Sequence, residues 1–172
     1  MDLAMRAGTI AAAIAAAALA PAATAAPAAR PDPGRFLVWD AQGRIVRLTL
    51  LAGLGRENNG FNFDGYGRGE LLVTVPLGWR VVVRCENRGS RRHSCAVVRG
   101  ALATRPAFPG AASPSPLTGL APGTVASFSF RATRTGTFRL ASLVPGQEQA
   151  RMWDVLDVAR VVRPSIAARP GP

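Results

Sequence analysis

Short apolar stretches of strand length follow one another along most of the chain, separated by turns rich in glycine, proline and asparagine. Two of them alternate clearly: residues 124–130 place Phe128 and Phe130 on one face, and residues 137–142 place Phe138 and Leu140 on one face. Beyond the N-terminal segment, no stretch has the spacing of an amphipathic helix. This pattern predicts an all-β sandwich or barrel of about seven to eight strands, with antiparallel pairing in Greek-key order expected.

The apolar segments of strand length, from which these strands are expected, are residues 36–39, 45–51, 61–63, 71–75, 79–85, 93–98, 124–130, 137–142 and 152–158. Residues 104–119 are rich in proline, serine and glycine and predict a long surface loop. We expect the domain to occupy residues 35–159, after a linker at 27–34 and before a disordered tail at 160–172.

The N-terminal segment, residues 1–26, has the features of a secretory signal peptide. Arg6 precedes an apolar Ala/Ile run, and Ala23 and Ala25 have the small-residue spacing of a cleavage site. A retained N-terminal anchor is the alternative. We therefore expect an exported protein, periplasmic or secreted.

All 21 basic residues are arginine, and the formal net charge is +11. The arginines are scattered and form neither the block nor the helical stripe of a nucleic-acid binder, so no nucleic acid is expected. They form either a solvated basic surface or a docking surface for an acidic protein partner or an anionic envelope surface. The densest cluster surrounds the only histidine, His93, and consists of Arg84, Arg88, Arg91, Arg92 and Arg99.

The two cysteines, Cys85 and Cys95, end one predicted strand and begin the next. If Val81, Val83 and Cys85 face the interior, Cys95 lies on the matching face of a hairpin partner. Two cysteines in an exported protein favour a disulfide. A free Cys95 that binds a metal together with His93, or two free buried thiols, are the alternatives.

Five segments together resemble the sulfocyanins, which are cupredoxins, small blue copper proteins that carry electrons outside the cytoplasm. They are residues 60–66 (GFNFDGY), 75–83 (VPLGWRVVV), 93–94 (HS), 144–147 (VPGQ) and 152–155 (MWDV). Their order and spacing extend the resemblance from Val46 to Val158. The resemblance implies a cupredoxin fold and a copper site framed by the last loop.

In that family a histidine and a Cys-x4-His-x4-Met loop hold the copper. His93 matches the first histidine and Met152 the axial methionine, whereas Ser142 and Gln147 occupy the cysteine and second-histidine positions. A blue copper centre needs a thiolate and two imidazoles, so we expect no blue site. Ser142 and Gln147 are expected to form a polar plug, with His93 hydrogen-bonded to one of them.

The chain has one histidine, and no paired acids lie near it, so no enzyme is expected. Asp154 and Asp157 are expected to be solvated or turn-capping. The resulting hypothesis is a non-blue binding or interaction module at the cell envelope, without a cofactor. The alternatives are copper handling or electron transfer through His93 and Met152, and a structural domain of an envelope assembly.

Overall fold

The structure is a computed structural model that describes residues 29–171, so the signal peptide predicted for residues 1–26 lies outside the described part of the chain. Within residues 29–171, two short 3-10 helices, Pro33–Phe36 and Glu57–Gly60, accompany nine strands. The strands are β1 (Leu37–Asp40), β2 (Ile45–Ala52), β3 (Leu71–Pro76), β4 (Arg80–Asn87), β5 (Ala96–Val98), β6 (Val125–Arg131), β7 (Gly136–Ala141), β8 (Trp153–Ala159) and β9 (Ser165–Ala168). Within the described range, no helix is long and apolar enough to cross a membrane.

The strands form two sheets, with the orders β1-β2-β4-β6 and β5-β7-β8-β3-β9. This all-β arrangement confirms the predicted Greek-key sandwich. The pairing is mixed, because β2 runs parallel to β4 and β3 runs parallel to β8. The expectation of antiparallel pairing alone is therefore wrong for these two pairs. Strands β3 and β4 are neighbours in sequence but belong to opposite sheets, so the turn after Pro76 crosses the sandwich.

The core lies between the two sheets and is built from the inward positions of alternating strands. Val81, Val83 and Cys85 of β4 are fully buried, as are Leu140 of β7 and Leu156 of β8. The burial of these apolar side chains is the main source of the fold's stability.

The predicted disulfide between Cys85 and Cys95 is present, with the Cα atoms 6.0 Å apart. Cys85 lies in β4 and Cys95 directly precedes β5, and these strands belong to opposite sheets. The hairpin expected to bring the two sulfurs together is therefore wrong. The bond instead ties one sheet to the other, and it leaves Cys95 without a free thiolate for a metal.

The long loop before β6 is not only a surface loop. Phe108 is 2% exposed, and its ring centroid lies 5.1 Å from that of Phe130 and 4.8 Å from that of Phe138. The middle of the loop thus contributes an aromatic side chain to the core.

Two further segments differ from the sequence prediction. Residues 61–63 form no regular strand; Phe63 makes only isolated bridges to Ala52 and Tyr66, and a turn at Asp64 and Gly65 follows it. Residues 165–168, expected in a disordered tail, form β9 and pair antiparallel with β3. Ile166 packs against the core from this strand, and that apolar contact explains why the segment is ordered.

Candidate functional site

The four residues that match the ligand positions of the family come together at one end of the sandwich. Ser142 directly follows β7, Gln147 lies in the loop from β7 to β8, and Met152 directly precedes β8. His93 reaches them from the segment before β5, where its backbone pairs with Leu120. All four are buried, with exposures of 2% for His93, 1% for Ser142, 6% for Gln147 and 0% for Met152.

Gln147 is the centre of a hydrogen-bond network. Its Oε1 lies 2.8 Å from Nδ1 of His93 and accepts a 2.8 Å hydrogen bond from Oγ of Ser142. Its Nε2 donates to the main-chain carbonyl of Arg92, at 2.8 Å. Because a carbonyl only accepts, this contact fixes the orientation of the amide, and Oε1 must be the acceptor toward His93. Nδ1 of His93 therefore carries the proton, and the lone pair of the neutral ring is on Nε2.

Ser94 completes the network, a role that the sequence did not reveal although the residue belongs to the His93-Ser94 segment. Its backbone N–H donates to Oγ of Ser142 at 3.1 Å, and its own Oγ accepts from the backbone of Leu143 at 2.8 Å. The two hydroxyls lie 3.3 Å apart. The network thus joins the segment before β5 to the loop after β7 and satisfies the buried polar groups of the site.

The surroundings of His93 keep its ring neutral. Burial lowers the pKa of His93 and the Arg91 guanidinium lowers it further, while the hydrogen bond with Gln147 acts in the opposite direction. The ring also meets Phe61 edge to face, at 6.3 Å between centroids.

Glu148 holds the loop from β7 to β8 in place. It accepts from Arg139 at 2.5 Å and from the backbone N–H of Leu102 at 2.8 Å, and its side chain is 5% exposed. Arg139 in turn lies over the ring of Trp153, 4.0 Å from the centroid. These contacts fix the loop through groups of the protein itself.

The residues present do not fit a blue copper centre, which requires one thiolate and two imidazoles. Both cysteines are in the disulfide, and His93 is the only histidine. Ser142 offers a hydroxyl, Gln147 an amide oxygen, and Nδ1 of His93 is already hydrogen-bonded. Over residues 29–171, no group of three or more His, Cys, Asp or Glu side chains is placed to hold a metal.

The arginine cluster around His93 is on the surface, but its members differ in their contacts. Arg84 and Arg88 both form ion pairs with Glu86. Arg91 and Arg92 donate to main-chain carbonyls, and Arg99 is exposed next to a turn. The positive charge near the site is therefore carried mainly by the last three.

Two aspartates that sequence reasoning did not single out as buried lie in the interior. Asp154, expected to be solvated or turn-capping, is 0% exposed and accepts from the backbone of Leu71 at 2.9 Å. Asp64 is also 0% exposed and accepts from Leu51 at 2.7 Å. Burial raises the pKa of Asp64 to about 8 and the pKa of Asp154 well above its usual range.

A sequence profile of the Sulfocyanin (SoxE) domain matches residues 34–111 of the chain. This range contains β1 to β5 and His93, and it ends before Ser142, Gln147 and Met152. None of the curated proteins compared with the chain matches it.

Several solved structures are similar to this fold. Auracyanin A from Chloroflexus aurantiacus, described as a "blue" copper protein, is 23% identical, with a TM-score of 0.49 over 67% of this chain and 99% of that one. Rusticyanin from Thiobacillus ferrooxidans is 20% identical, with a TM-score of 0.48 over 74% of this chain and 87% of that one. A reduced auracyanin from Roseiflexus castenholzii is 20% identical, with a TM-score of 0.47 over 66% and 96%.

The family profile, the two-sheet topology and the spacing of the four site residues agree with one another. The four residues that the resemblance assigns to ligand positions, His93, Ser142, Gln147 and Met152, are all buried. Over residues 34–111 the chain is therefore similar to the sulfocyanin domain, and its two-sheet fold agrees with that similarity.

Proposed function

We propose that the protein is a non-enzymatic binding or interaction module at the cell envelope, and that its domain holds no blue copper centre. The observation that carries this proposal is the hydrogen bond between Gln147 and Nδ1 of His93. The same amide also binds Ser142, so the space between the family ligand positions is closed by polar contacts within the protein. A domain that keeps the loop from β7 to β8 but fills the space between the ligand positions retains a surface for binding a partner rather than a redox centre.

The surface beside the site suits a protein partner. A groove of about 220 Å³ runs along the loop from β7 to β8 and is lined by Leu102, Leu117 and Pro145. Leu102 is 58% exposed and Leu117 is 52% exposed, which is high for large apolar side chains. Arg92 and Arg99 are exposed in the adjoining segments. We propose an acidic protein segment with an apolar anchor as the partner, because it would match both the groove and the charge.

Adding copper in both oxidation states to the purified protein tests the proposal directly. We expect no intense visible band and no tightly held copper. A blue thiolate-to-copper band would contradict the proposal. Colourless Cu(I) binding that is lost in Met152→Ala would support copper handling instead, and it would require the Gln147–His93 hydrogen bond to open.

The double change Ser142→Cys with Gln147→His provides a stronger test of the site geometry. It supplies the missing thiolate and imidazole at the family positions, so addition of Cu(II) should produce an intense blue absorption band. Ser142→Cys with Gln149→His is the matched control, because Gln149 lies in the same loop but is exposed. If neither variant becomes blue, Ser142 and Gln147 do not occupy the ligand positions.

A further inference from the structure

A cavity of about 330 Å³ lies on the side of His93 that faces away from Gln147. It is bordered by the loop after β2, which supplies Arg56, and by the loop after β4, which supplies Ser90 and Arg91. His93 forms part of its wall. The cavity therefore borders the edge of the imidazole ring that carries Nε2, which is not part of the Gln147 network.

Nε2 of His93 packs closely against two glycines at the edge of the cavity. A Cβ at Gly53 would lie 2.9 Å from this nitrogen, and a Cβ at Gly89 would lie 2.8 Å from it. The positive φ of 75° at Gly53 favours glycine in any case, but Gly89 has no such backbone reason. A side chain at Gly89 would collide with the ring of His93, so glycine at this position lets the backbone approach Nε2.

The polar groups at this cavity determine the charge and the hydrogen-bonding groups that a ligand needs to bind there. Arg56 and Arg91 are exposed and form no ion pair with any residue from 29 to 171, and no carboxylate lines the cavity. Because Nδ1 donates to Gln147, Nε2 of the neutral ring is a hydrogen-bond acceptor. The ligand must then carry negative charge together with one hydrogen-bond donor.

We propose that this cavity binds an oxyanion that bears a hydroxyl, namely a monoprotonated phosphate group, either free or at the end of a small organic molecule. Its charged oxygens accept from Arg56 and Arg91, and its hydroxyl donates to Nε2 of His93. Guanidinium groups bind phosphate oxygens with strong charge-assisted hydrogen bonds. This site is separate from the proposed partner surface and does not depend on the absence of copper, so either proposal can fail alone.

The single histidine makes the test direct, because the protein has one set of imidazole NMR signals. Inorganic phosphate, titrated near pH 6 at constant ionic strength, should shift the His93 ring signals saturably while Nδ1 keeps its proton. Sulfate has no hydroxyl at this pH and should bind clearly more weakly. Titration with glycerol phosphate distinguishes the two sources, since tighter binding than that of inorganic phosphate indicates an organic monoester.

Three arginine variants give the test its controls. Arg56→Gln and Arg91→Gln should each weaken phosphate binding by about tenfold, the loss expected for one charge-assisted contact. Arg163→Gln removes the same charge at an exposed position outside the cavity and should leave binding unchanged. Gly89→Ala should abolish binding, because its methyl group would cover Nε2.

The proposal is overturned if phosphate causes no saturable shift, or if sulfate binds equally well. Equal weakening by Arg163→Gln would also overturn it, since that result indicates general attraction to a basic surface. The arginine variants keep the test valid even if Gly89→Ala does not fold.

Discussion

The side-chain amide of Gln147 combines two functions that few side chains offer together. Its oxygen accepts from both His93 and Ser142, while its nitrogen donates to the carbonyl of Arg92. An imidazole at this position offers one donor and one acceptor when neutral, so it could not reproduce all three contacts. A glutamine therefore suits a closed, metal-free network better than the family histidine does.

Gln147→Ala should lower the free energy of unfolding by roughly 1–3 kcal/mol, the cost of leaving buried polar partners unsatisfied. Urea denaturation followed by tryptophan fluorescence measures the change. Gln149→Ala removes an exposed glutamine from the same loop and should have little effect. Equal effects of the two changes would show that the Gln147 network does not stabilise the loop.

Asp64 should make the protein less stable as the pH rises. Its pKa is about 8 in the folded state, raised mainly by burial, against a usual value of 3.8. Between these values the folded state holds a proton that the unfolded state has released. The free energy of unfolding therefore falls with increasing pH, by up to about 1.4 kcal/mol per pH unit for one proton. Asp154 contributes in the same direction, because its pKa is also raised.

Asp64→Asn tests this pH dependence, because the asparagine Oδ1 can keep the hydrogen bond from Leu51 without a titrating group. Thermal unfolding measured from pH 6 to pH 8 should show a smaller loss of stability in this variant than in the unmodified protein. The lowered pKa of His93 makes the protein more stable as the pH rises, but only below about pH 6.5. This contribution is the same in both proteins, so it cancels when their pH dependences are compared. Asp40→Asn, at an exposed position, is the control and should leave the change of stability with pH as it is in the unmodified protein. If stability changes equally with pH in all three proteins, Asp64 is not the group responsible.

The sequence predicted some of these residues and not others, for a physical reason. Ser142, Gln147 and Met152 are recognisable because a loop of fixed length holds them at a fixed spacing. Asp64 and Asp154 have no such pattern, since a buried aspartate looks like any turn or strand-edge carboxylate in the sequence. Only the fold shows that each carboxylate is enclosed and accepts a backbone N–H.

At the level of the strands, alternation located most elements but not their partners. The inward face of β4, with Val81, Val83 and Cys85, was predicted correctly. Its neighbours were not, because a polar turn such as residues 88–92 can either close a hairpin or carry the chain to the opposite sheet. Here it crosses, so β4 pairs with β2 and β6, and β5 pairs with β7.

Strand β9 was missed because residues 165–168 are few, lack strong β-formers apart from Ile166, and lie between prolines and arginines. In the fold it covers the edge of β3. The following Arg169 extends the contact, with its backbone N–H 2.8 Å from the carbonyl of Glu70 and its Nε 2.7 Å from that of Gly69. An uncovered edge strand is also a site for unwanted pairing between molecules.

Removing residues 164–172 should therefore destabilise the domain by roughly 2–4 kcal/mol, since ladder hydrogen bonds and the burial of Ile166 are lost together. It should also promote association through the exposed edge of β3. Urea denaturation and light scattering measure the two effects. Removing only residues 171–172 leaves β9 intact and serves as the control; equal stability of both truncated proteins would show that β9 contributes nothing.

For the molecule as a whole, the contacts that stabilise the domain are made within the protein. The disulfide joins the two sheets, the core lies between them, and Glu148 fixes the loop from β7 to β8 through its contacts with Arg139 and Leu102. A scaffold of this kind can lose its redox centre and still present the same end of the sandwich to a partner. In the proposed docking, the net charge of +11 attracts an acidic partner.

The proposed acidic partner leads to a prediction about salt. A synthetic peptide of glutamates around one leucine should bind the protein, and binding should weaken strongly between about 0.05 M and about 0.5 M salt, because added ions screen exposed charges. The double change Arg92→Gln with Arg99→Gln should reduce the affinity, whereas Arg160→Gln with Arg163→Gln, of equal net charge, should not. Replacing the leucine of the peptide by serine should also weaken binding if the groove beside Leu102 and Leu117 receives it. Fluorescence anisotropy measures all of these affinities.

Two results would contradict this prediction. Stronger binding to anionic lipid vesicles than to the peptide would assign the basic surface to the membrane. Equal losses of affinity in both pairs of arginine variants would show that the groove is not the docking site.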